Sequence, residues 1–331
     1  MMEFHWGDRD PRWAGISSDR VTIDDVDIHV LRADPASVAD GATADPGRDV
    51  DPDAEPILLV HGLGGSATNW LDVMAGLART APVVAVDLPG FSETRPPTPR
   101  AARITPQVAF LVRLLDTLAW ERAEVHGNSM GGLLSILLAG HHPDRVPRLV
   151  LANPTFPGDV RASLVQLDRQ SASRLAPFAV SRRAGLAALK SLYRRSTPEE
   201  VYAGTESLVM GDAERMRPPL REVGIAHATD AMRLEWRAES MSHAASDLLT
   251  TLIRRRREVR EAAAAITADI LLIWGDEDRL VNQAAMDALT TLRGDITRHD
   301  LAGVGHVPMI EVPDRYLALV DTWRTTVDVP A

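Results

Sequence analysis

Ser129 stands in Gly127-Asn-Ser-Met-Gly131, between the apolar run Ala123 to His126 and a helical apolar pattern from Gly132 to Gly140. A serine held on a tight strand-to-helix turn needs small residues two places to either side, because the bent backbone and the approaching helix leave no room for side chains there. Gly127 and Gly131 meet that need. The turn lifts the Ser129 hydroxyl above the edge of a sheet and aims the Met130 N–H, with the positive end of the following helix, at any oxyanion formed beside it. A serine hydroxyl is a weak nucleophile until a base takes its proton, so a histidine and an acid that orients it are required. His306, in Gly303-Val-Gly-His-Val-Pro308, lies on a glycine-rich loop between the short strand Thr297 to Leu301 and the last helix. The acid has three candidates, Asp276, Glu277 and Asp278, in the turn after the apolar run Ile270 to Trp274. Ser, acid and His would each stand at the carboxyl end of a strand, an arrangement suited to acyl transfer through a covalent intermediate, with no cofactor and no metal.

The elements that would carry these residues are short. Pro56 to Val60, Val83 to Val86, Ala123 to His126, Leu149 to Leu151 and Ile270 to Trp274 are apolar runs bounded by Gly, Pro or Asp, the pattern of buried parallel strands. Gln107 to Leu118 repeats its apolar residues at three and four places, as a helix does. Arg20 to Arg32 alternates apolar and polar residues and predicts a hairpin of half-buried strands. Strand and helix alternate, so the fold class is α/β with a mostly parallel sheet. The alternation stops from 155 to 265, where only helices fit: Asp159 to Leu175, Ser181 to Arg195, one opened by Thr197-Pro-Glu-Glu200, and a long pattern from Thr229 to Ala265 with one break. This predicts a helical cap over 155–265 inserted between core segments 1–154 and 266–331.

The chain has 331 residues, 36 basic against 46 acidic groups, a formal net charge of −10, 45% hydrophobic residues and no cysteine. Disulfide scaffolds and cysteine-based metal sites are thereby excluded, and the acidic balance argues against a nucleic-acid partner. The N-terminus has no apolar stretch of signal-peptide type, and no apolar run reaches the roughly 18–20 residues that span a bilayer. The expectation is a cytoplasmic protein that acts on a small molecule; a homodimer stays open. Residues 34–56 are mostly Ala, Asp, Gly and Pro with a net charge of −6, and predict a disordered acidic loop. The segment 155–265 carries +4, so a basic lid is expected over an acidic body. Arg254-Arg-Arg-Arg257 is read as a solvated helix face.

Taken together, His61-Gly-Leu-Gly-Gly65, Asp87-Leu-Pro-Gly-Phe91, Gly127-Asn-Ser-Met-Gly131 and Trp274-Gly-Asp-Glu-Asp278 with Gly305-His306 resemble the α/β-hydrolase superfamily, in its cap-bearing branch. The resemblance implies Ser129 as nucleophile, His306 as base and then acid, and Asp278 as its partner, with Asp276 as the fallback. It also implies the backbone N–H of Leu63 as the second oxyanion donor beside Met130, and His61 as a residue that orients that loop. Family members that carry the acid one strand earlier would place it near Asn153, which cannot hold the charge. Ser92 departs from a pattern that often has glycine, which bears on loop conformation.

The resemblance further implies hydrolysis of a carboxylic ester of small or medium hydrophobic size. The elbow Gly-Asn-Ser-Met-Gly-Gly132 is also similar to that of carbon–carbon bond hydrolases of ring-cleavage products, although Val307 stands where that branch tends to carry Trp. A non-catalytic ligand-binding protein on the same fold is the alternative of a different class. Phe156, Trp236, Met241 and Val307 are the candidate pocket residues, and Phe178, Tyr193, Tyr202 and Met232 are further lining candidates, each weighed against packing between cap helices.

Overall fold

The computed structural model describes residues 5–39, 54–158 and 176–327. The strands are β1 (Ser17–Ile23), β2 (Val26–Ala33), β3 (Ile57–Val60), β4 (Val83–Val86), β5 (Glu124–Asn128), β6 (Arg148–Ala152), β7 (Asp269–Gly275) and β8 (Thr297–Leu301). They form one sheet in the order β1-β2-β4-β3-β5-β6-β7-β8. β1 and β2 make an antiparallel hairpin whose turn residues Asp24 and Asp25 both have positive φ, as a twist-matched two-residue turn requires. β2 pairs antiparallel with β4, and every pairing from β4 through β8 is parallel.

The parallel strands read as continuous apolar runs because both faces are covered. On β3 and β4, Leu58, Val60, Val84 and Val86 point into one core, and Ile57, Leu59, Val83 and Ala85 into the other. The first core is closed by α3 (Ile104–Thr117), α4 (Met130–His141) and α10 (Gln283–Leu292), the second by α2 (Leu71–Leu77) and α12 (Pro313–Val327). Each fully buried aliphatic side chain contributes about 1.5–3 kcal/mol, and this two-sided burial is what fixes the strand ends.

Between β6 and β7 the described residues contain no strand. They hold a helical stretch over 176–180, then α5 (Arg182–Arg195), α6 (Pro198–Val209), α7 (Pro218–Arg233), α8 (Glu235–Arg254) and α9 (Arg256–Ala265). Ser181 caps α5, and Thr197 with Glu200 forms a capping box on α6, the start signals legible in the sequence. The long pattern from Thr229 breaks twice, at Leu234 and at Arg255, not once. α8 sends Ala244 and Leu248 into the first core, and α9 packs on α4 so closely that a Cβ on Gly140 would lie 2.2 Å from the Ala262 carbonyl oxygen.

Two expectations concern segments at the limits of the described residues. The loop read over 34–56 begins with a short helix, α1 (Pro35–Ala39), entered by an Asp34–Ser37 exchange of hydrogen bonds; residues 40–53 lie outside the described residues. The helix expected over Asp159 to Leu175 also lies outside them. The remaining helix, α11 (Pro308–Glu311), is a single turn directly after His306.

Candidate active site

Every residue singled out for chemistry stands at the carboxyl end of a strand, the rim where open α/β sheets bind ligands. Ser129 follows β5 with φ 55° and ψ −119°, a conformation that non-glycine residues rarely adopt. Its flanking glycines are required sterically. A Cβ on Gly127 would lie 2.6 Å from the Gly131 carbonyl oxygen, and one on Gly131 would lie 2.2 Å from that of Val60. The strained turn is held by the Ser129 N–H donating to Ala152 O at 3.2 Å and by Ser129 O accepting from Thr155 N at 2.9 Å. The Ser129 hydroxyl lies 3.5 Å from Thr155 Oγ1, its one hydrogen-bond partner among the described residues.

The loop His61 to Gly65 arches beside this turn, and a Cβ on Gly62 would come 2.9 Å from Ser129 Cβ. His61 is fully buried; its Nε2 accepts from the Leu88 N–H at 3.1 Å and its Nδ1 donates to Gly62 O at 2.7 Å. Burial pushes its imidazole below the ordinary range, so it holds the loop as a neutral ring. Leu63 is half-buried in that loop, and Met130 opens α4 fully buried.

His306 Nδ1 meets Asp278 Oδ2 at 2.7 Å. The same carboxylate accepts from the Leu280 and Val281 N–H groups at 2.7 and 3.0 Å and from Asn153 Nδ2 at 2.6 Å. Asp276 bonds the Gly303 N–H at 2.7 Å, so the acid beside the imidazole is Asp278 and the fallback is engaged elsewhere. The backbone of His306 is tied at both ends: its N–H donates to Val209 O at 2.7 Å, and its carbonyl accepts from Asn128 Nδ2 at 2.9 Å. Asn128 thus joins the histidine loop to the residue that precedes the elbow serine.

The candidate pocket residues scatter. Met241, on α8, places its Cε 3.4 Å from where a Cβ of Gly64 would stand, above the His61 to Gly65 loop. Phe156 is buried within the first core and Val307 within the second. Trp236 is half-buried, with the Arg237 guanidinium carbon 5.5 Å from its ring centroid. Of the further candidates, Phe178 packs on Gly185, and Tyr202 packs on Gly224 and points its hydroxyl at Met216 Sδ, so both lie between helices of the 155–265 segment. Thr155, Asn128 and Glu311 carry no signal in the sequence, and Asn153, legible there only as a residue that cannot serve as the acid, proves to bond the acid itself, because each acts through a partner that no local motif announces.

Among the described residues no group of three or more His, Asp or Glu converges in a way that could hold a metal ion, and no helix is long and apolar enough to cross a membrane. A family model described as alpha/beta hydrolase fold matches residues 55–313. The dihydrolipoyllysine-residue acetyltransferase component of an acetoin cleaving system from Cupriavidus necator is 27% identical over 326 residues, covering 92% of this chain and 75% of that protein. A 2-hydroxy-6-oxononadienedioate/2-hydroxy-6-oxononatrienedioate hydrolase from Burkholderia vietnamiensis is 26% identical over 272 residues, covering 80% of this chain and 85% of that protein. Among solved structures, a bacterial membrane phospholipase A superposes with a TM-score of 0.63 at 21% identity, over 96% of this chain and 88% of that one.

Proposed function

The chain belongs to the α/β-hydrolase fold family, and from that premise we propose that it is a serine hydrolase that cleaves a carboxylic ester through an acyl-enzyme. The observation that carries this reading is the His306–Asp278 pair at 2.7 Å, on a loop hydrogen-bonded to the residue before the strained Ser129. With Nδ1 committed to Asp278, Nε2 of His306 is the nitrogen left to take the Ser129 proton. Ser129 Oγ attacks the carbonyl carbon, and the oxyanion is received by the N–H groups of Met130 and Leu63. His306 then gives its proton to the departing alkoxide. In the second half water attacks the acyl carbon, His306 takes its proton, and Ser129 leaves with that proton restored. The reaction requires the Ser129 hydroxyl, which lies near Thr155, to turn toward Nε2, a contact that commonly tightens only with substrate bound.

The helices between β6 and β7 serve as the cap of this site. Met241 above the oxyanion loop and Ser240 against Gly90 support that reading, since they set α8 over the carboxyl ends of β3 and β4. Carbon–carbon bond hydrolysis is the second reading, favoured by the relative from Burkholderia vietnamiensis, whose name specifies a 2-hydroxy-6-oxo dienedioate. It uses the same serine, base and oxyanion donors on a vinylogous diketone.

Reaction with a fluorophosphonate probe tests the shared core: wild type is labelled and Ser129→Ala is not. Labelling undiminished in Ser129→Ala would sink the proposal. Nitrophenyl esters of graded length run beside a vinylogous diketone then separate the two reactions, with the ester expected to be preferred.

A further inference from the structure

Arg237 is 7% exposed, yet among the described residues no carboxylate lies within ion-pair distance of it. Its one hydrogen bond runs from Nη1 to the His227 carbonyl oxygen at 3.2 Å, its guanidinium carbon lies 5.5 Å from the Trp236 ring centroid, and its Nε has no hydrogen-bond partner. Other cations of this protein that are drawn inward are paired: Arg324 with Glu124, and Arg217 with Asp10 and Asp72. An unpaired buried cation is expensive, because the lost hydration is not replaced. Burial accordingly pushes the Arg237 guanidinium below its ordinary value. The carboxylates whose charge reaches it are Asp87, Glu93 and Asp230. Asp87 is already bonded to His29 and to the N–H groups of Ala67 and Glu93, and Glu93 is paired with Arg20.

The position of Arg237 is informative. It lies one turn before Ser240 and Met241 on the same face of α8, and these two residues meet Gly90 and Gly64, in the loops at the carboxyl ends of β4 and β3. Gly62 of the second loop abuts Ser129. Ser240 Oγ is a second buried polar atom without a partner, and Ser92 Oγ, two residues beyond Gly90, is a third.

We propose that Arg237, with the Ser240 hydroxyl, is the seat for a carboxylate of the substrate remote from the scissile carbonyl, so that the enzyme takes monoanionic half-esters in preference to neutral esters. Nη1 is occupied by His227 O, which leaves the Nε and Nη2 edge for side-on pairing with a planar carboxylate. One guanidinium with three carboxylates at longer range matches a monoanion and disfavours a phosphate dianion. The proposal deepens the hydrolase reading and rests on it.

The test compares wild type with Arg237→Met and Arg237→Lys. Nitrophenyl hydrogen glutarate and nitrophenyl valerate serve as matched anionic and neutral esters, and monomethyl glutarate binding to Ser129→Ala, with and without Arg237→Met, is followed by calorimetry. Loss of the charge-assisted bond is expected to lower the kcat/KM ratio of anionic to neutral ester by about 10- to 100-fold, with the neutral ester little changed. Arg237→Lys should recover part of that ratio. Arg237→Met should also melt no lower than wild type, because it removes a buried charge that has no carboxylate partner; a merely structural arginine would give the opposite. An unchanged ratio, or glutarate binding that is absent or indifferent to Arg237, would overturn the proposal. A wild type that binds glutarate through Arg237 but is not labelled by the fluorophosphonate would count against the hydrolase reading alone.

Discussion

Asn153 Nδ2 donates to Asp278 Oδ2 at 2.6 Å, the same oxygen that His306 Nδ1 reaches at 2.7 Å. Asn153 follows β6 with a positive φ of 47°, and its backbone N–H is held by Ile273 O at 2.9 Å, so its side chain is delivered to Asp278 from the neighbouring strand. An amide is the fitting group there. It donates to the acid, whereas a carboxylate would set two like charges on one spot.

Substitution at these two positions is therefore asymmetric. Asp278→Asn is expected to lower kcat by about 10⁴-fold with KM little changed, since the imidazole loses the partner that fixes its tautomer. Asn153→Asp alone should also lower activity, through like-charge repulsion with Asp278. Combined in one chain, Asn153→Asp and Asp278→Asn exchange the amide and the acid and should recover at least about tenfold over Asp278→Asn. Steady-state kinetics of the four proteins checks this; a double variant no better than Asp278→Asn would show that position 153 cannot orient His306.

Much of this arrangement was legible because it is local. Val83 to Val86 is a strand with the bounds its apolar run suggests, Thr297 to Leu301 is a strand where a short one was expected, and the elbow glycines announce a turn that only small residues permit. What was not legible depends on partners distant in sequence. Nothing near Asn153 points to Asp278, 125 residues on, and nothing near Arg237 shows that it is buried without a carboxylate. The breaks at Leu234 and Arg255 lack Pro or Gly, so the helical pattern runs through them unmarked. α7 starts at Pro218, before the expected Thr229, because its face is completed by Leu220 and Val223 packing into the second core.

Glu311 is a positioning residue for the His306 loop. Its buried carboxylate accepts from the N–H groups of Gly305 at 3.0 Å, Gly211 at 2.9 Å and Asp212 at 3.1 Å, and from Arg215 Nη1 at 3.0 Å. It thereby clamps the loop to the segment after α6. Glu311→Gln, which keeps one acceptor oxygen, should lower kcat by about 10-fold and leave KM near its wild-type value. Glu311→Ala orphans several buried N–H groups and should destabilise the fold by about 3 kcal/mol. Thermal melts alongside kinetics separate the effects; a raised KM with normal kcat in Glu311→Gln would contradict the positioning role.

Gly131→Ala tests the elbow sterically. Its Cβ would fall 2.2 Å from the Val60 carbonyl oxygen, backbone that cannot yield without moving β3 and the His61 loop. A loss of about 1–3 kcal/mol in stability is expected, with fluorophosphonate labelling slowed in the protein that remains folded. Unchanged melting and labelling would show that the elbow tolerates a wider turn.

The His29–Asp87 pair gives the fold a pH signature. His29 Nδ1 lies 2.8 Å from Asp87 Oδ2 with both side chains buried. Burial alone would lower the imidazole, but the hydrogen bond and charge of Asp87 outweigh it and raise His29 above its ordinary 6.5. Burial alone would raise Asp87; His29 and the Ala67 N–H among others hold it well below its ordinary 3.8. The signs follow from linkage. The Asp87 contribution is fully present above 3.8 and is lost only as pH falls through its lowered value, whereas the His29 contribution is fully present below 6.5 and is lost as pH rises through its raised value. The pair thus supports the fold most in the mildly acidic range and less on the alkaline side. Melting temperatures of wild type and His29→Gln, taken from about pH 5.5 to about pH 9, should differ most at the acidic end and converge as His29 loses its proton. A difference that stays constant across that range would mean that His29 binds its proton equally well in the folded and unfolded chain, so that Asp87 does not raise it.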